Sequence, residues 1–204
     1  MIRVAVIDDH AVVRMGLKYA ISLAADLEFA GELVDGAGAA AFVLTEKPDV
    51  TLLDIRMPGT DGLAALQSIL AVKPSAKVVM LTTSEAEDDI YRAIRLGAKG
   101  YVVKDRDSNA ILRAVRRVAE GGTYFPDAIM DLYNQRKLMP DLTERESEVL
   151  QHVATGKTNP EIGEAISATA ETVKIHIKHI FEKMCVSTRA ECVAEAFRRG
   201  LLKV

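Results

Sequence analysis

The sequence predicts an α/β domain on a five-stranded parallel sheet, followed by an all-α domain of four helices. Three observations carry that expectation. Five short apolar runs alternate with helix-periodic segments over the first 120 residues. The alternation stops at Gly121-Gly122. No strand-like run follows Thr143. At 204 residues the chain has room for two modest domains. The boundaries expected are 1–120 for the first domain, 121–140 for a linker with one short helix, and 141–204 for the second.

The five runs are Arg3–Ile7, Leu27–Val34, Val50–Leu53, Lys77–Leu81 and Gly100–Val103. Several are rich in Val and Ile and nearly unbroken, as strands buried on both faces require. Between them Leu63, Leu66, Ile69 and Leu70 show helical spacing. Strands alternating with helices imply a parallel sheet covered on both sides, with ligands at the carboxyl ends of its strands. In the second domain Thr143 and Glu146 form a capping-box pattern, and Gly156 ends that helix. Asn159 is expected to cap the next helix, with Pro160 at its first position. A turn at Ser167-Ala168-Thr169 leads to a longer helix over 170–184, and a last helix covers 189–199. Short helix, tight turn, longer basic helix is the helix-turn-helix order.

Composition narrows the function classes. Apolar residues make up 49% and charged residues 27%, ordinary for a soluble protein with a core. The opening Met1-Ile2-Arg3-Val4-Ala5-Val6 reaches Asp8 and Asp9 at once, unlike a secretory leader. No apolar run approaches the roughly 18 residues of a membrane span. Cys185 and Cys192 fit neither a disulfide framework nor a zinc site, so reduced thiols and a cytoplasmic location are expected. The net charge is −3, divided as −2 over residues 1–120 and −1 over 121–204. Nucleic-acid binding must therefore rest on a local basic face.

Asp8 and Asp9 follow the first strand, and Asp54 ends the third. If those strands are neighbours, three carboxylates converge and repel unless a divalent cation joins them. Oxygen-only ligands suit Mg²⁺. The fourth strand ends at Thr82 and the fifth at Lys104. A hydroxyl, an ammonium and a carboxylate-bound metal are what an incoming phosphoryl group needs, with Asp54 as nucleophile. Taken alone, each residue is more plainly a turn or cap residue; the argument lies in five of them arriving at appropriate strand ends.

Val6-Ile7-Asp8-Asp9-His10, Leu52-Leu53-Asp54-Ile55-Arg56-Met57-Pro58-Gly59-Thr60-Asp61-Gly62, Met80-Leu81-Thr82 and Lys99-Gly100-Tyr101-Val102-Val103-Lys104 resemble the receiver domains of response regulators, over about residues 1–120. The resemblance implies a flavodoxin-like receiver with Asp54 as phosphoacceptor. It implies Mg²⁺ held by Asp9 and Asp54, by Asp8 often through water, and by the backbone carbonyl of Arg56. Thr82 and Tyr101 are the implied switch pair, and Lys104 the phosphoryl contact. Phosphorylation would draw Thr82 in and let Tyr101 rotate inward, shifting a population between two packings. Without the resemblance Tyr101 reads as a half-buried aromatic at a strand edge.

Two other readings fail on position. Gly36-Ala37-Gly38-Ala39-Ala40-Ala41 matches a dinucleotide-binding fingerprint, but it follows the second strand rather than the first. It reads instead as a glycine turn feeding an Ala-rich helix. A phosphatase with an aspartyl nucleophile needs an acid two residues further on, and position 56 is Arg, which gives up no proton at neutral pH. No enzyme acting on outside substrates is expected, only the receiver's own Mg²⁺-dependent phosphoryl transfer and autodephosphorylation.

On the long C-terminal helix Val173, Ile177, Ile180 and Met184 share one face and should pack inward. Lys174 and Lys178 lie on another, near Ile175, Lys183, His176 and His179, a stripe that suits phosphates and guanine edges. Such a stripe alone is usually a solvated face. Leu142-Thr143-Glu144-Arg145-Glu146, Gly156-Lys157-Thr158-Asn159, Glu161-Ile162, Thr172-Val173-Lys174-Ile175-His176 and Val186-Ser187-Thr188-Arg189 resemble the LuxR-type domain, over about residues 140–204. Joined to a receiver, this is similar to the NarL/FixJ branch. By position, Lys174, Ile175 and Lys178 face bases, Thr172, His179 and Lys157 contact phosphates, and Cys192, Val193 and Ala196 form a DNA-bound dimer contact; the plainer reading of that last helix is core packing. Pro160, Ala168, Ala170 and Cys185 depart from the family pattern: Pro160 removes a phosphate contact, and the small residues are expected to loosen packing. The resemblance implies a regulator of transcription that takes its phosphoryl group from a sensor histidine kinase, dimerises when phosphorylated or DNA-bound, and binds promoter DNA.

Overall fold

The computed structural model describes residues 1–83, 86–104 and 108–202, the side chain of Ser108 excepted. The chain divides into two compact units, Met1–Glu85 with Asp89–Leu132, and Ala86–Asp88 with Tyr133–Val204.

The first unit is built on β1 (Ile2–Ile7), β2 (Leu27–Leu33), β3 (Val50–Asp54), β4 (Val78–Thr82) and β5 (Gly100–Val103), all parallel, in the order β2-β1-β3-β4-β5. The five runs expected from the sequence are these five strands. β3, β4 and β5 are buried at every position, which explains their unbroken apolar character. Val4, Val6, Leu52, Val79, Leu81 and Val102 pack on one face against α1 (Ala11–Ser22) and α5 (Ser108–Ala119), through Leu17, Ile21, Ile111 and Val115. α2 (Ala39–Glu46) and α3 (Gly62–Val72) pack together over β2 and β3. α4 (Glu87–Leu96) lies between β4 and β5 in sequence. Burying side chains such as Leu52, Leu66 or Ile69, all without exposed surface, contributes about 1.5–3 kcal/mol each.

Register is what positions the site. Val6 pairs with Leu52 and Ile7 with Leu53, so Asp8 and Asp54 leave neighbouring strands side by side. Asp54 pairs with Leu81 and Thr82 with Val103, which sets Lys104 one residue past Thr82 at the same edge. The loop after β3 returns sharply, with Gly62 N–H donating to Ile55 O at 2.9 Å. A Cβ on Gly62 would lie 1.9 Å from the Asp54 carbonyl oxygen, so only glycine lets α3 start there. The Gly36–Gly38 segment runs into α2 as the sequence suggests. A Cβ at Gly36 would lie 2.6 Å from the Thr60 carbonyl oxygen, so this glycine serves the approach of the β3–α3 loop.

The expected linker is largely helical: α6 covers Asp127–Lys137. Before it, Tyr124 forms a parallel bridge with Gly100, and its carbonyl accepts from Tyr101 N–H at 2.9 Å. The second unit contains α7 (Glu144–Ala154), α8 (Asn159–Ala165), α9 (Ala170–Met184) and α10 (Arg189–Arg199). The cap of α8 differs from expectation. It is Thr158, whose N–H and Oγ1 both donate to Glu161 at 2.7 Å, so Asn159 is already helical and Pro160 occupies the second position. The core joins Val149, Leu150, Val153, Ile162, Val173, Ile180, Met184, Cys192 and Ala196.

Glu146 ties the start of α7 to the end of α9. Its carboxylate accepts from Thr143 N–H at 2.7 Å, Thr143 Oγ1 at 3.0 Å and Lys183 Nζ at 2.6 Å. Burial pushes its pKa up, but the Lys183 ammonium and the Thr143 donors outweigh that and hold it below the ordinary value of 4.5. A depressed carboxylate contributes stability that is present above its unfolded pKa and lost as pH falls through the folded one. Glu146→Gln is therefore expected to destabilise the second unit by about 1–2 kcal/mol at pH 7. The difference should shrink as pH drops below 4.5, as thermal melts across that range would show. A pH-independent difference would assign the loss to shape rather than charge.

Candidate functional site

The carboxyl edge of β1, β3, β4 and β5 gathers the acids expected there. Asp8 and Asp54 are buried at 0% and 1% exposure, Thr82 at 0%. Lys104 Nζ lies 2.7 Å from Asp8 Oδ2 and 2.6 Å from Asp54 Oδ2. Lys104 N–H donates to the Thr82 carbonyl at 2.6 Å, which fixes the approach of that side chain. Arg56 N–H donates to Asp54 Oδ1 at 3.2 Å, so the loop after β3 supports the carboxylate from its own backbone. Asp61 caps α3 by accepting from Ala64 N–H at 2.9 Å.

Burial pushes the Asp54 pKa above the ordinary value; Lys104 pulls it back, Asp8 adds repulsion, and the Arg56 N–H helps the charged form. The net direction is upward, so one ammonium does not offset the desolvation of this pair. A further cation would offset the remaining cost. Asp8, Asp9, His10 and Asp54 offer ligand atoms within 4.8 Å of one another. Asp8 Oδ2, Asp9 Oδ1 and Asp54 Oδ2 are buried oxygens without a well-directed hydrogen bond. Three carboxylates fit a hard divalent cation.

His10 is the member of this cluster that sequence reasoning passed over. Its Nδ1 lies 2.8 Å from Asp9 Oδ1, 3.3 Å from Asp8 Oδ1 and 3.9 Å from Asp54 Oδ2. The signal was present in the Asp8-Asp9-His10 run, but an exposed residue before a helix is more often a cap. Arg56 also does more than its carbonyl suggests: its guanidinium pairs with the Asp89 carboxylate on α4. Tyr101 is fully buried, not the half-buried edge aromatic that its strand position alone suggests.

In the second unit, α9 separates its faces as expected. Val173, Ile180 and Met184 are buried and Ile177 partly so. Thr172, Lys174, Ile175, Lys178 and His179 are exposed, Ile175 at 50% although it is apolar. Lys174 and Lys178 pair only loosely with Glu171 and Glu182, at 3.6 and 3.8 Å across solvent, and such pairs contribute little. Lys157 is half-buried, its Nζ 3.2 Å from His152 Nδ1. The α8–α9 turn is tight: Ser167 has φ 55, Ala168 N–H donates to Gly163 O at 2.8 Å, and a Cβ on Gly163 would lie 2.6 Å from Ala168 O.

Two expectations need correction. Cys192 and Ala196 are buried in the core at 1% and 0%, so they present no surface to a partner; of the three residues expected at a dimer contact only Val193 retains some exposure. Ala170 and Cys185 are both exposed, Cys185 as the left-handed cap of α9, so neither loosens a core. Among the described residues no helix is long and apolar enough to cross a membrane.

A parallel α/β unit with an acidic carboxyl edge, joined to a helix-turn-helix with a basic outer face, defines a two-domain signalling regulator. Residues 4–116 match the response regulator receiver domain, and residues 140–196 match the luxR family of bacterial regulatory proteins. The chain belongs to the response regulators of the LuxR-type, or NarL/FixJ, branch. It is 36% identical over 207 residues to the response regulator protein VraR of Staphylococcus aureus, covering 99% of both chains. It is 33% identical to a nitrate/nitrite response regulator protein homolog of Haemophilus influenzae, over 98% of each. Among solved structures it resembles the response regulator ChrA of a heme-sensing two-component system, at 34% identity and TM-score 0.58 over 98% of each chain. RcsB of Salmonella enterica serovar Typhimurium, bound to promoter DNA in the presence of a phosphomimetic, shares the fold at TM-score 0.73 and 21% identity, over 97% of this chain and 98% of that one.

The balance of charge at the sheet edge can be tested without any partner. In metal-free buffer Asp54→Asn is expected to melt about 2–4 °C above wild type, because a buried repulsive charge is removed. Lys104→Met should cost about 3 kcal/mol, because two buried carboxylates lose their cation. Equal melting temperatures for all three proteins in calorimetry would contradict this account of the site.

Proposed function

We propose that Asp54 accepts a phosphoryl group from a sensor histidine kinase, and that this modification controls dimerisation and sequence-specific DNA binding to regulate transcription. The observation that carries the reading is Lys104 held against Asp54 and Asp8 at one sheet edge. On this reading residues 1–120 act as the receiver, 121–140 as a linker and 141–204 as the DNA-binding domain. The protein acts in the cytoplasm and turns over no outside substrate.

Asp8, Asp9, Asp54 and the Arg56 carbonyl would hold Mg²⁺, which neutralises charge on the phosphoryl oxygens. The chain's own residues do the rest. Asp54 Oδ attacks phosphorus, and the bond from phosphorus to the donor breaks with its electron pair leaving on the donor. Lys104 Nζ meets the added negative charge and Thr82 Oγ1 donates to one phosphoryl oxygen. Thr82 and Tyr101 then carry the change to the packing around α4 and β5. On α9, Lys174, Ile175 and Lys178 face base edges while Thr172, His179 and Lys157 contact phosphates. Val193 contributes to the dimer contact, with Cys192 and Ala196 shaping it from the core. RcsB dimers are seen on DNA, and a symmetric dimer of this chain would read two half-sites.

Intact mass after incubation with acetyl phosphate and Mg²⁺ tests the phosphoacceptor. One added phosphoryl group is expected on wild type and none on Asp54→Asn; a label on both would move the chemistry elsewhere. For DNA, Lys174→Ala is expected to weaken the best site by about 1–3 kcal/mol and relax sequence preference. Lys157→Ala should weaken all sequences alike and lower the salt slope by about 1. Fluorescence titrations at several salt concentrations separate the two, and a uniform loss with Lys174→Ala would remove it from base reading.

A further inference from the structure

Arg56 stands two residues beyond Asp54, at the rim of the acidic edge. Its backbone N–H supports Asp54 Oδ1 at 3.2 Å, while its guanidinium reaches away to the carboxylate of Asp89 on α4. Asp89 is buried, its side chain 2% exposed, whereas the Arg56 side chain is 31% exposed and has freedom to turn. The pair therefore joins the loop that follows Asp54 to the helix that follows Thr82.

We propose that Arg56 is a positioning residue for the phosphorylated state, exchanging Asp89 for the phosphoryl group on Asp54 and so releasing α4. The inference rests on Asp54 being the phosphoacceptor. Phosphorylation adds close to two negative charges and three acceptor oxygens within two residues of Arg56. A guanidinium binds phosphate and carboxylate in the same forked geometry, so the phosphoryl group competes directly with Asp89. The carboxylate carries one charge and the phosphoryl group more, which tips the exchange. Bound to Arg56, the acyl phosphate is shielded from water. Asp89, buried on α4, loses this cation, and α4 adjusts around it. Arg56 thus helps to hold the modification and reports it.

The test compares wild type, Arg56→Ala, Arg56→Lys, Asp89→Asn and the double variant Arg56→Ala/Asp89→Asn. Each is labelled with acetyl phosphate and Mg²⁺, and the decay of the phosphorylated band is followed on a phosphate-affinity gel. Folding is checked by circular dichroism. Arg56→Ala is expected to shorten the half-life about fivefold, with Arg56→Lys restoring part of it. Asp89→Asn frees the guanidinium beforehand and should lengthen the half-life about threefold. The double variant should behave as Arg56→Ala. Opposite signs for the two single variants are the signature, because a merely structural pair would move both in one direction. Half-lives that shift the same way, or stay within twofold of wild type, overturn the exchange while leaving Asp54 as phosphoacceptor. No label on folded wild type overturns the phosphoacceptor reading and the exchange with it.

Discussion

Two carboxylates cannot be buried side by side without a cation, and the first unit is arranged around supplying one. β1 and β3 place Asp8 and Asp54 together by register, and β5 delivers Lys104 to both at 2.7 and 2.6 Å. Moving any of these strands by one residue would turn its side chains to the other face and dissolve the cluster. The dependence extends to the loops. Gly62 lets α3 begin against the Asp54 carbonyl, and Gly36 makes room for Thr60 in the same loop. These glycines belong to the site although they carry no chemistry. They let the loop after β3 lie close enough for Arg56 N–H to reach Asp54.

The second unit solves a different electrostatic problem. Its sequence carries a slight net negative charge, yet its exposed helix must approach a polyanion. The solution is segregation. Glu146, Glu161 and Glu191 accept from backbone N–H groups at the starts of α7, α8 and α10, where helix termini favour negative charge. Glu195 accepts from Arg198 and Arg199, which hold its carboxyl down at about 2. Many of the acids are thereby occupied in structure, and Lys174 and Lys178 remain on the open face of α9 with only loose, solvated partners. Net charge is a poor guide here because several of the carboxylates that lower it are engaged at helix starts and by arginines rather than placed against α9.

This division explains what could be read from the sequence. The strands were legible because parallel strands buried on both faces leave an unbroken apolar record, and the acidic residues because they stand at strand ends. The faces of α9 followed from spacing alone. The cap of α8 was not legible: Thr158 and Asn159 are both good caps, and the choice falls to Thr158 through the reach of Glu161. For Cys192 and Ala196 the plainer reading, core packing, is the one the structure bears out over the dimer contact that the resemblance implied: small residues let α10 approach α7 and α9 closely. The Arg56–Asp89 pair joins residues 33 apart, and no local pattern announces it. Long-range ion pairs depend on the relative placement of a loop and a helix, which periodicity does not encode.

The raised pKa of Asp54 gives the site its sense. A carboxylate held comfortably by its surroundings would gain little from a further ligand. Here burial and Asp8 disfavour the ionised carboxylate more than Lys104 favours it. A cation that binds the ionised form would therefore stabilise the folded chain, by simple linkage. On the proposed reading, transfer of a phosphoryl group would turn a poorly tolerated carboxylate into a mixed anhydride whose charge lies further out, towards Lys104. The poor tolerance of an ionised Asp54 has one main origin, the desolvation of that carboxylate at the end of β3. Such a site holds two charge states whose balance any nearby cation can shift, and that is the physical requirement for a switch.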